Sequence, residues 1–359
     1  MPENFESSVF RIIDAAANRA AEGLRVVEDF ARMHKEDASL ARELKQLRHS
    51  LTTALAPIDS AILLQARDPA SDVGTTISTS SEFERADFSA IVRSNFARVL
   101  QSLRTMEEYS KFLSERFDES IAPQLEQLRY QTYIVEKAVF NTVDSQASLN
   151  DVMIYVLTDS RGGLSEFESL IGELIRADVG LIQLRDKSLD DRELLRFGKR
   201  LTELTRDVRT RWIMNDRPDL ARLADADGVH VGQEDVSVHQ ARQIVGPGKL
   251  IGVSTHDIDQ ARAAEIAGAN YIGVGPCFPS GTKQFNQFVP TEFLSTVSSE
   301  ILVPAFAIGG IDASNVATLN QLGIGRVAVS KSLVESHDKS QDAGILKKAL
   351  RVECMASDA

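Results

Sequence analysis

The strongest constraint on the fold is a repeated alternation in the second half of the chain. Short apolar runs rich in β-branched residues alternate there with amphipathic stretches of helical periodicity. The runs lie at residues 153–159, 180–186, 211–216, 228–232, 250–255, 271–276, 305–310 and 326–331. Near-continuous apolarity is typical of parallel strands that helices cover. Eight β/α units in about 190 residues predict an α/β domain of the (β/α)₈ TIM-barrel class.

A doubly wound open sheet is the alternative for such an alternating pattern. That fold normally has fewer strands and a glycine-rich fingerprint after the first one. No such fingerprint follows residues 153–159. We therefore expect the barrel, and with it a functional site at the C-terminal ends of the strands.

The first half of the chain has helical periodicity throughout. Four stretches carry apolar residues three or four positions apart, and we expect Ser39 to cap the second. These stretches are 10–34, 39–55, 88–117 and 120–143. The polar segment 141–151 lacks periodicity and indicates a linker. We predict an all-α domain at 1–145, a linker at 146–152, the barrel at 153–345 and a tail at 346–359.

The helical half contains an internal repeat. "RAAEGLRVVEDFAR" at 19–32 aligns with "RVLQSLRTMEEYSK" at 98–111. Arg25 and Asp29 are four residues apart, as are Arg104 and Glu108, so each pair can meet on one helix face. Two interpretations stay open: solvated ion pairs, or a shared arginine and acid pocket closed by the loop "RDPASDVG".

Length, net charge and cysteine content limit the kinds of partner and compartment expected for this chain. The length of 359 residues favours two domains, and the net charge of -12 disfavours binding to nucleic acid or anionic membranes. Cys277 and Cys354 are the 2 cysteines, which fits a reducing compartment. We find neither a signal peptide nor an apolar run of about 18 residues. A cytoplasmic protein is expected, and a homo-oligomer stays open.

Two carboxylates follow neighbouring predicted strands. Asp216 ends the third strand and Asp235 lies just after the fourth. Oxygen ligands without His or Cys suit Mg²⁺, which shares its shell with water and substrate phosphates. The same pair could instead act as a general acid and base. Asp216 could also cap a helix that starts near Pro218.

Cations, amides and hydroxyls surround these carboxylates and favour the metal. Arg185, Lys187 and Lys283 supply positive charge for phosphate groups. Gln183 and Asn215 carry amides that can read the edge of a heterocycle, and Ser254 adds a hydroxyl. Together these residue types predict a site for a diphosphate gripped by Mg²⁺.

A second phosphate site is predicted farther along the rim. "IGGI" at 308–311 and "VSKS" at 329–332 follow the last two strands, a recurrent phosphate site in this fold. Gly309 and Gly310 allow close approach of an anion to backbone N–H groups. Two phosphate sites in one barrel mouth indicate substitution at carbon with diphosphate leaving.

Seven motifs in order resemble the thiamine phosphate synthase family over residues 153–336. They are "QLRDK", "MNDRPDLA", "DGVHVGQED", "GVSTH", "GPCFPSGTK", "AIGGI" and "VAVS". The resemblance implies joining 4-amino-5-hydroxymethyl-2-methylpyrimidine diphosphate to 4-methyl-5-(2-phosphooxyethyl)thiazole. It also implies a dissociative mechanism, in which diphosphate leaves before the thiazole nitrogen attacks. The helical half resembles an extension fused to this synthase in some bacteria, to which we can assign no activity.

The resemblance also implies residue roles. The pyrimidine diphosphate would bind Gln183, Leu184, Arg185, Asp186, Lys187, Asn215, Ser254 and Lys283, of which Arg185, Ser254 and Lys283 would be catalytic. The thiazole phosphate would bind Ser280, Gly281, Thr282, Gly310, Val329 and Ser330. Asp216 and Asp235 would hold Mg²⁺. The family usually has Thr in place of Ser280, and Lys331 is an unexpected cation beside the second site. His230 and His256 are expected to make structural hydrogen bonds, and Cys277 to pack in the loop.

Two rival functions remain. The related thiazole tautomerase is a barrel isomerase of one phosphate ester, which has no need for a magnesium diphosphate site. A non-catalytic sensor of thiamine precursors is the rival from another class, because a barrel fold alone decides no function. The acidic pair and Lys283 favour the synthase over both.

Overall fold

The computed structural model describes residues 3–70, 72–73, 84–117, 121–280 and 287–351. The chain divides into two compact units, Met1–Val139 and Phe140–Ala359, which we treat separately. Within the described ranges, no helix combines the length and apolarity needed to cross a membrane.

The first unit is helical, as predicted. Its helices are α1 (Glu3–Asp29), α2 (Ala38–Leu55), α3 (Ser60–Ala66), α4 (Phe88–Ser110) and the first part of α5 (Ile121–Leu149). A π-helical turn at Phe30–His34 ends α1, and a 3-10 turn at Lys111–Leu113 ends α4. Asp37, whose side chain accepts a hydrogen bond from the Leu40 amide, caps α2. The predicted cap at Ser39 is therefore wrong, because helix α2 begins at Ala38 and Ser39 lies inside its first turn.

The internal repeat produces the same charged arrangement twice. The predicted pairs Arg25–Asp29 and Arg104–Glu108 both form, at 3.3 and 2.7 Å. Each arginine also contacts a buried glutamate, Glu28 or Glu107. These two glutamates accept a second hydrogen bond from Arg48 on α2 and Arg129 on α5, at 3.1 and 3.0 Å. The predicted pairs are solvent-exposed, as the first interpretation expected, and each arginine also belongs to an Arg–Glu–Arg triad with a buried centre.

The loop predicted to close over this region is only partly described. Arg67 makes two hydrogen bonds to Asp14, at 2.7 and 2.8 Å, and anchors the start of the loop on α1. Residues 71 and 74–83 lie outside the described part of the chain. The pocket interpretation remains a hypothesis.

The predicted linker is helical over most of its length. Helix α5 continues to Leu149, through residues that the sequence pattern assigned to an irregular segment. Thr142, Ser145 and Leu149 are buried, and Asn141 donates a hydrogen bond to the Ala269 carbonyl at 2.7 Å. The absence of an apolar stripe misled the prediction, because hydroxyl and amide groups form part of this buried face.

The second unit is a closed barrel of parallel strands, as predicted. All eight predicted runs form strands, paired in chain order with β8 closing on β1. The strands are β1 (Ile154–Thr158), β2 (Leu181–Leu184), β3 (Arg211–Asn215), β4 (Gly228–Val231), β5 (Leu250–Thr255), β6 (Tyr271–Val274), β7 (Ala305–Ile308) and β8 (Val327–Val329). The closed order excludes the doubly wound sheet, which is open at both edges.

Helices surround the strands. They are α6 (Leu164–Arg176), α7 (Asp191–Thr205), α8 (Pro218–Leu223), α9 (Val238–Val245), α10 (Ile258–Ile266), α11 (Thr291–Glu300), α12 (Val316–Gln321), α13 (Lys331–Val334) and α14 (Lys339–Leu350). The main apolar core lies between strands and helices. A second cluster fills the barrel interior, where Tyr155, Tyr271 and Phe306 pack edge to face with ring centroids 5.5–5.6 Å apart. Leu149 of α5 joins this interior cluster.

Candidate active site

A cavity of about 600 Å³ opens at the C-terminal ends of the strands. Its size falls in the range of small-molecule sites. Eight of the predicted site residues line it: Gln183, Arg185, Asn215, Ser254, Ser280, Gly310, Val329 and Ser330. Residues from β2, β3, β5 and β8 converge there because parallel strands end on one rim. Gly281, Thr282 and Lys283 lie outside the described residues.

Three predicted substrate ligands, Leu184, Asp186 and Lys187, do not line the cavity. Leu184 is buried in the core between strands and helices, so only its main chain could face a ligand. The Asp186 carboxylate accepts hydrogen bonds from the amides of Ser160 and Ser188, at 3.0 and 2.8 Å. These bonds, with those of the serine hydroxyls, hold the pKa of Asp186 well below its usual range despite partial burial. Asp186 therefore ties the loops after β1 and β2 together.

The two predicted metal ligands meet beside the cavity. The carboxyl groups of Asp216 and Asp235 lie within hydrogen-bond reach of each other. Burial, followed by the negative charge of Asp235, raises the pKa of Asp216, and Lys187 opposes this only in part. Asp235 also accepts a hydrogen bond from the Gly232 amide at 2.7 Å. Two carboxylates held this close repel each other, and a cation would relieve the repulsion.

Asp216 does not cap the helix that follows. The N-cap position of α8 is Arg217, which pairs with Asp191 and Asp219. Asp216 itself has a left-handed backbone conformation, with φ of 58°, and its amide donates to the His230 carbonyl at 2.8 Å. This removes the capping interpretation, and the carboxylate lies instead beside Asn215 and Asp235.

The donor set fits a magnesium ion rather than a closed protein site. In the described ranges, no three His, Cys, Asp or Glu side chains are grouped so that they could hold a metal. The protein would therefore offer two carboxylates and leave the other positions open. Mg²⁺ is usually bound in this way, by one or two carboxylates together with water and substrate phosphates.

Two buried polar atoms at the cavity lack a partner in the described part of the chain. Gln183 Oε1 and Ser332 Oγ have no hydrogen-bond partner among the described residues, although both residues line the cavity. A buried acceptor or hydroxyl without a partner costs about 1–3 kcal/mol. A bound ligand that supplied the missing partners would remove that cost.

The glycine pair after β7 brings a loop against the strand end. Gly309 and Gly310 have φ of 102° and 62°, the left-handed region that favours glycine. A Cβ on Gly310 would lie 2.1 Å from the Pro279 carbonyl oxygen. Only glycine therefore allows the segment before Ser280 to pack here.

The histidines and the cysteine near the rim have structural contacts. His230 Nε2 lies 2.9 Å from Ser254 Oγ, and His256 Nδ1 lies 2.6 Å from the Gly275 carbonyl. Burial lowers the pKa of His230 to about 4, so the ring is neutral. Burial raises the pKa of Cys277 to about 12, which leaves an unreactive thiol.

Several lining residues were not singled out from the sequence. Thr158, Asp159, Asp312 and Ser332 line the cavity, each at or just after a strand end. That position alone could have indicated them. Lys331 also lines the cavity, and its ammonium lies 3.7 Å from the Glu335 carboxylate.

Comparisons with known proteins identify the family of this chain. A family model described as "Thiamine monophosphate synthase" matches residues 154–333, and one described as "ThiD2 family" matches residues 11–138. Relatives named "Thiamine-phosphate synthase" include one from Rhodopirellula baltica, 42% identical over 97% of this chain and 94% of its own length. Another, from Nostoc punctiforme, is 37% identical over 93% of this chain and 92% of its own.

A solved structure supports the same assignment for the barrel. It is titled a thiamine phosphate pyrophosphorylase from Pyrococcus furiosus, is 31% identical, and superposes with a TM-score of 0.50. The match covers 55% of this chain and 95% of that one. These matches establish that the chain belongs to the thiamine monophosphate synthase family.

Proposed function

We propose that this chain joins 4-amino-5-hydroxymethyl-2-methylpyrimidine diphosphate to 4-methyl-5-(2-phosphooxyethyl)thiazole and releases thiamine phosphate and diphosphate. As a member of the thiamine monophosphate synthase family it is a transferase of thiamine biosynthesis. The observation that carries the proposal is the contact between the Asp216 and Asp235 carboxyl groups on the rim that also presents Arg185 and Ser254. An isomerase of one phosphate ester has no need for a magnesium diphosphate site.

Asp216 and Asp235 would hold Mg²⁺. When bound, the ion would neutralise charge on the leaving diphosphate and orient it. Lys187, close enough to Asp216 to influence its pKa, would add positive charge on the same side.

The chain's own donors would stabilise the leaving group further. The Arg185 guanidinium offers a planar fork for two phosphate oxygens, and the Ser254 hydroxyl adds a neutral donor. Lys283, whose role rests on the family resemblance, would contribute a positively charged ammonium group. Donors held in place for the developing negative charge lower the barrier because they need no reorganisation during the reaction.

At the other end of the cavity, the thiazole phosphate would lie on Gly310, Val329 and Ser330. Ser332, whose hydroxyl lacks a partner among the described residues, would add a donor there. The aminopyrimidine would spread the methylene cation that forms when diphosphate leaves, and the thiazole nitrogen would then attack it. No protein nucleophile is needed, which agrees with the neutral Cys277 thiol.

The test is direct turnover. The purified chain is incubated with both substrates and Mg²⁺, and thiamine phosphate and diphosphate are quantified. We expect equal amounts of both products. Rearrangement of a thiazole phosphate ester alone would support the tautomerase, and binding without turnover would support the sensor; either result overturns the proposal.

We also propose a cytoplasmic location. The chain has only 2 cysteines in 359 residues, and their spacing does not suggest a disulfide framework, which fits a reducing compartment. Fractionation of the native cell with an antibody against the chain tests this.

A further inference from the structure

A chain of polar side chains crosses the barrel interior under the cavity. Gln183 Nε2 lies 2.5 Å from the Tyr155 hydroxyl, which lies 2.9 Å from the Tyr271 hydroxyl. The Tyr271 hydroxyl lies 3.3 Å from His230 Nδ1, and His230 Nε2 lies 2.9 Å from Ser254 Oγ. Five residues from β2, β1, β6, β4 and β5 are therefore linked in one line.

Both ends of this line reach the cavity, Tyr155 and His230 also line it, and Tyr271 at the centre is fully buried. Gln183 and Ser254 are proposed substrate ligands and both line the cavity. Tyr155 and Tyr271 are 2% and 0% exposed. Polar groups buried this deeply must satisfy one another, so each hydrogen bond constrains the next.

The arrangement has one consistent direction. The Gln183 amide nitrogen donates to the Tyr155 oxygen, and if each hydroxyl of the line donates one hydrogen bond, the Tyr155 O–H donates to Tyr271. The Tyr271 O–H then donates to His230 Nδ1, which leaves the proton of the neutral ring on Nε2, facing Ser254. The Ser254 oxygen accepts this bond, and its own hydrogen is left for a ligand.

We propose that Tyr155, Tyr271 and His230 are positioning residues that set the hydrogen-bond polarity of the two substrate ligands at the ends of the line. Gln183 is held with Oε1 as an acceptor, and this oxygen has no donor among the described residues. Ser254 is held as a donor. The line thus selects a ligand with an N–H group at the Gln183 end and a negatively charged oxygen at the Ser254 end. This selectivity rests on the proposed function, since an aminopyrimidine diphosphate has both.

The surrounding backbone leaves room for the line. A Cβ on Gly252 would lie 2.1 Å from the Tyr271 ring, and one on Gly273 would lie 3.4 Å from His230 Cε1. Glycine at 252 therefore allows the tyrosine to lie across the barrel with its hydroxyl on the line.

The polarity is tested by the tautomer of His230, which needs no substrate. Long-range ¹H–¹⁵N spectra of the full chain at pH 7.5 resolve the ring nitrogens, and the His230 signals are those lost in His230→Gln. We expect a neutral ring protonated on Nε2. A ring protonated on Nδ1, or on both nitrogens, would overturn the proposed direction.

The positioning role is tested with Tyr271→Phe, which removes the central hydroxyl and keeps the ring. We expect the KM for the pyrimidine diphosphate to rise about tenfold, the effect of losing about one hydrogen bond between buried groups, while the KM for the thiazole phosphate stays unchanged. In the same variant a fraction of His230 should move its proton to Nδ1. Tyr133→Phe on α5, an exposed tyrosine, is the matched control.

The outcomes separate the two proposals. Unchanged KM values, or equal increases in both with a lowered unfolding midpoint, would show a structural role only and overturn the positioning role. If the unsubstituted chain forms no thiamine phosphate, the proposed function fails, and the tautomer spectrum still decides the polarity of the line.

Discussion

At the scale of single residues, Asp216 combines two unfavourable features. Its backbone is left-handed, a conformation that costs a non-glycine residue on the order of 1 kcal/mol, and its carboxyl group is half-buried against that of Asp235. Neither feature helps the fold. Residues of this kind are expected at functional sites, where stability is given up for a ligand.

Asp216→Asn tests whether this residue lowers the stability of the fold in return for binding a ligand. Asparagine tolerates the left-handed conformation and removes the repulsion with Asp235, so we expect a higher midpoint of thermal unfolding. Turnover should fall about 100-fold or more, because one of the two carboxylates for the cation is lost. Added Mg²⁺ should raise the unfolding midpoint of the unsubstituted chain when pyrimidine diphosphate is present, but not that of the variant. Asp259→Asn, at an exposed position on α10, is the control; equal turnover in both variants would remove Asp216 from the site.

His230 gives the barrel a defined sensitivity to acid. Its pKa is lowered to about 4 in the fold from 6.5, so the unfolded chain takes up the proton first as the pH falls. The stabilising contribution is complete above pH 6.5 and is lost as the pH falls towards 4. Across this pH range, protonation linked to His230 should lower the free energy of unfolding by about 3 kcal/mol.

Urea unfolding at pH 7 and pH 4.5 measures this loss. We expect His230→Gln to show a smaller decrease in the free energy of unfolding than the unsubstituted chain, with His239→Gln as an exposed control. The comparison between variants matters because Asp37, whose pKa is raised to about 6 by burial, has the opposite effect in the same window. Parallel pH curves for His230→Gln and the unsubstituted chain would contradict the prediction.

At the scale of elements, each copy of the repeat in the helical unit contains a buried glutamate that forms an ion pair with an arginine on another helix. Glu28 on α1 is joined to α2 by Arg48, and Glu107 on α4 is joined to α5 by Arg129. The Arg129 side chain is 12% exposed, whereas that of Arg104 is 54% exposed. The two arginines that contact Glu107 therefore differ in what they contribute, since a buried carboxylate without a partner is costly and a surface pair is weak.

Arg129→Met and Arg104→Met are matched variants that compare the buried with the exposed arginine partner of Glu107. Arg129→Met leaves Glu107 buried with a single, exposed partner, and we expect it to destabilise the helical unit by about 3 kcal/mol. Arg104→Met should cost less than about 1 kcal/mol. Thermal unfolding followed by circular dichroism measures both, and Glu107→Gln combined with Arg129→Met should recover part of the loss. Equal effects of the two methionine variants would show that burial does not govern the triad.

At the scale of the whole molecule, the boundary between units lies within helix α5. The last ten residues of this helix belong to the barrel unit, where Leu149 packs with Tyr155 and Tyr271 and Ser145 accepts from Asn270 at 3.0 Å. The barrel therefore includes a helical segment before its first strand.

A chain of residues 140–359 should fold and retain synthase turnover, whereas one of residues 150–359 should be much less stable. Within the full chain, Leu149→Ala should lower the free energy of barrel unfolding by about 2–5 kcal/mol, the usual effect of truncating a buried leucine. Leu223→Ala, at an exposed position, is the control. Full stability of Leu149→Ala would show that α5 ends outside the barrel.

The sequence by itself determined the class of each unit. Apolar periodicity is local, so eight strands and the four long helices could be read without knowing any contact. The strand ends then placed Gln183, Asn215 and Ser254 on one rim, because parallel strands in a barrel share a direction. Motif order was enough to indicate the family.

Only the tertiary structure decided which side chains meet. Leu184 and Asp186 lie within the same motif as Gln183, yet one packs in the core and the other ties two loops. Tyr155 and Tyr271 are separated by 116 residues and join hydroxyls across the barrel. Such contacts depend on how the barrel closes and how each side chain packs, and neither is encoded in a local pattern.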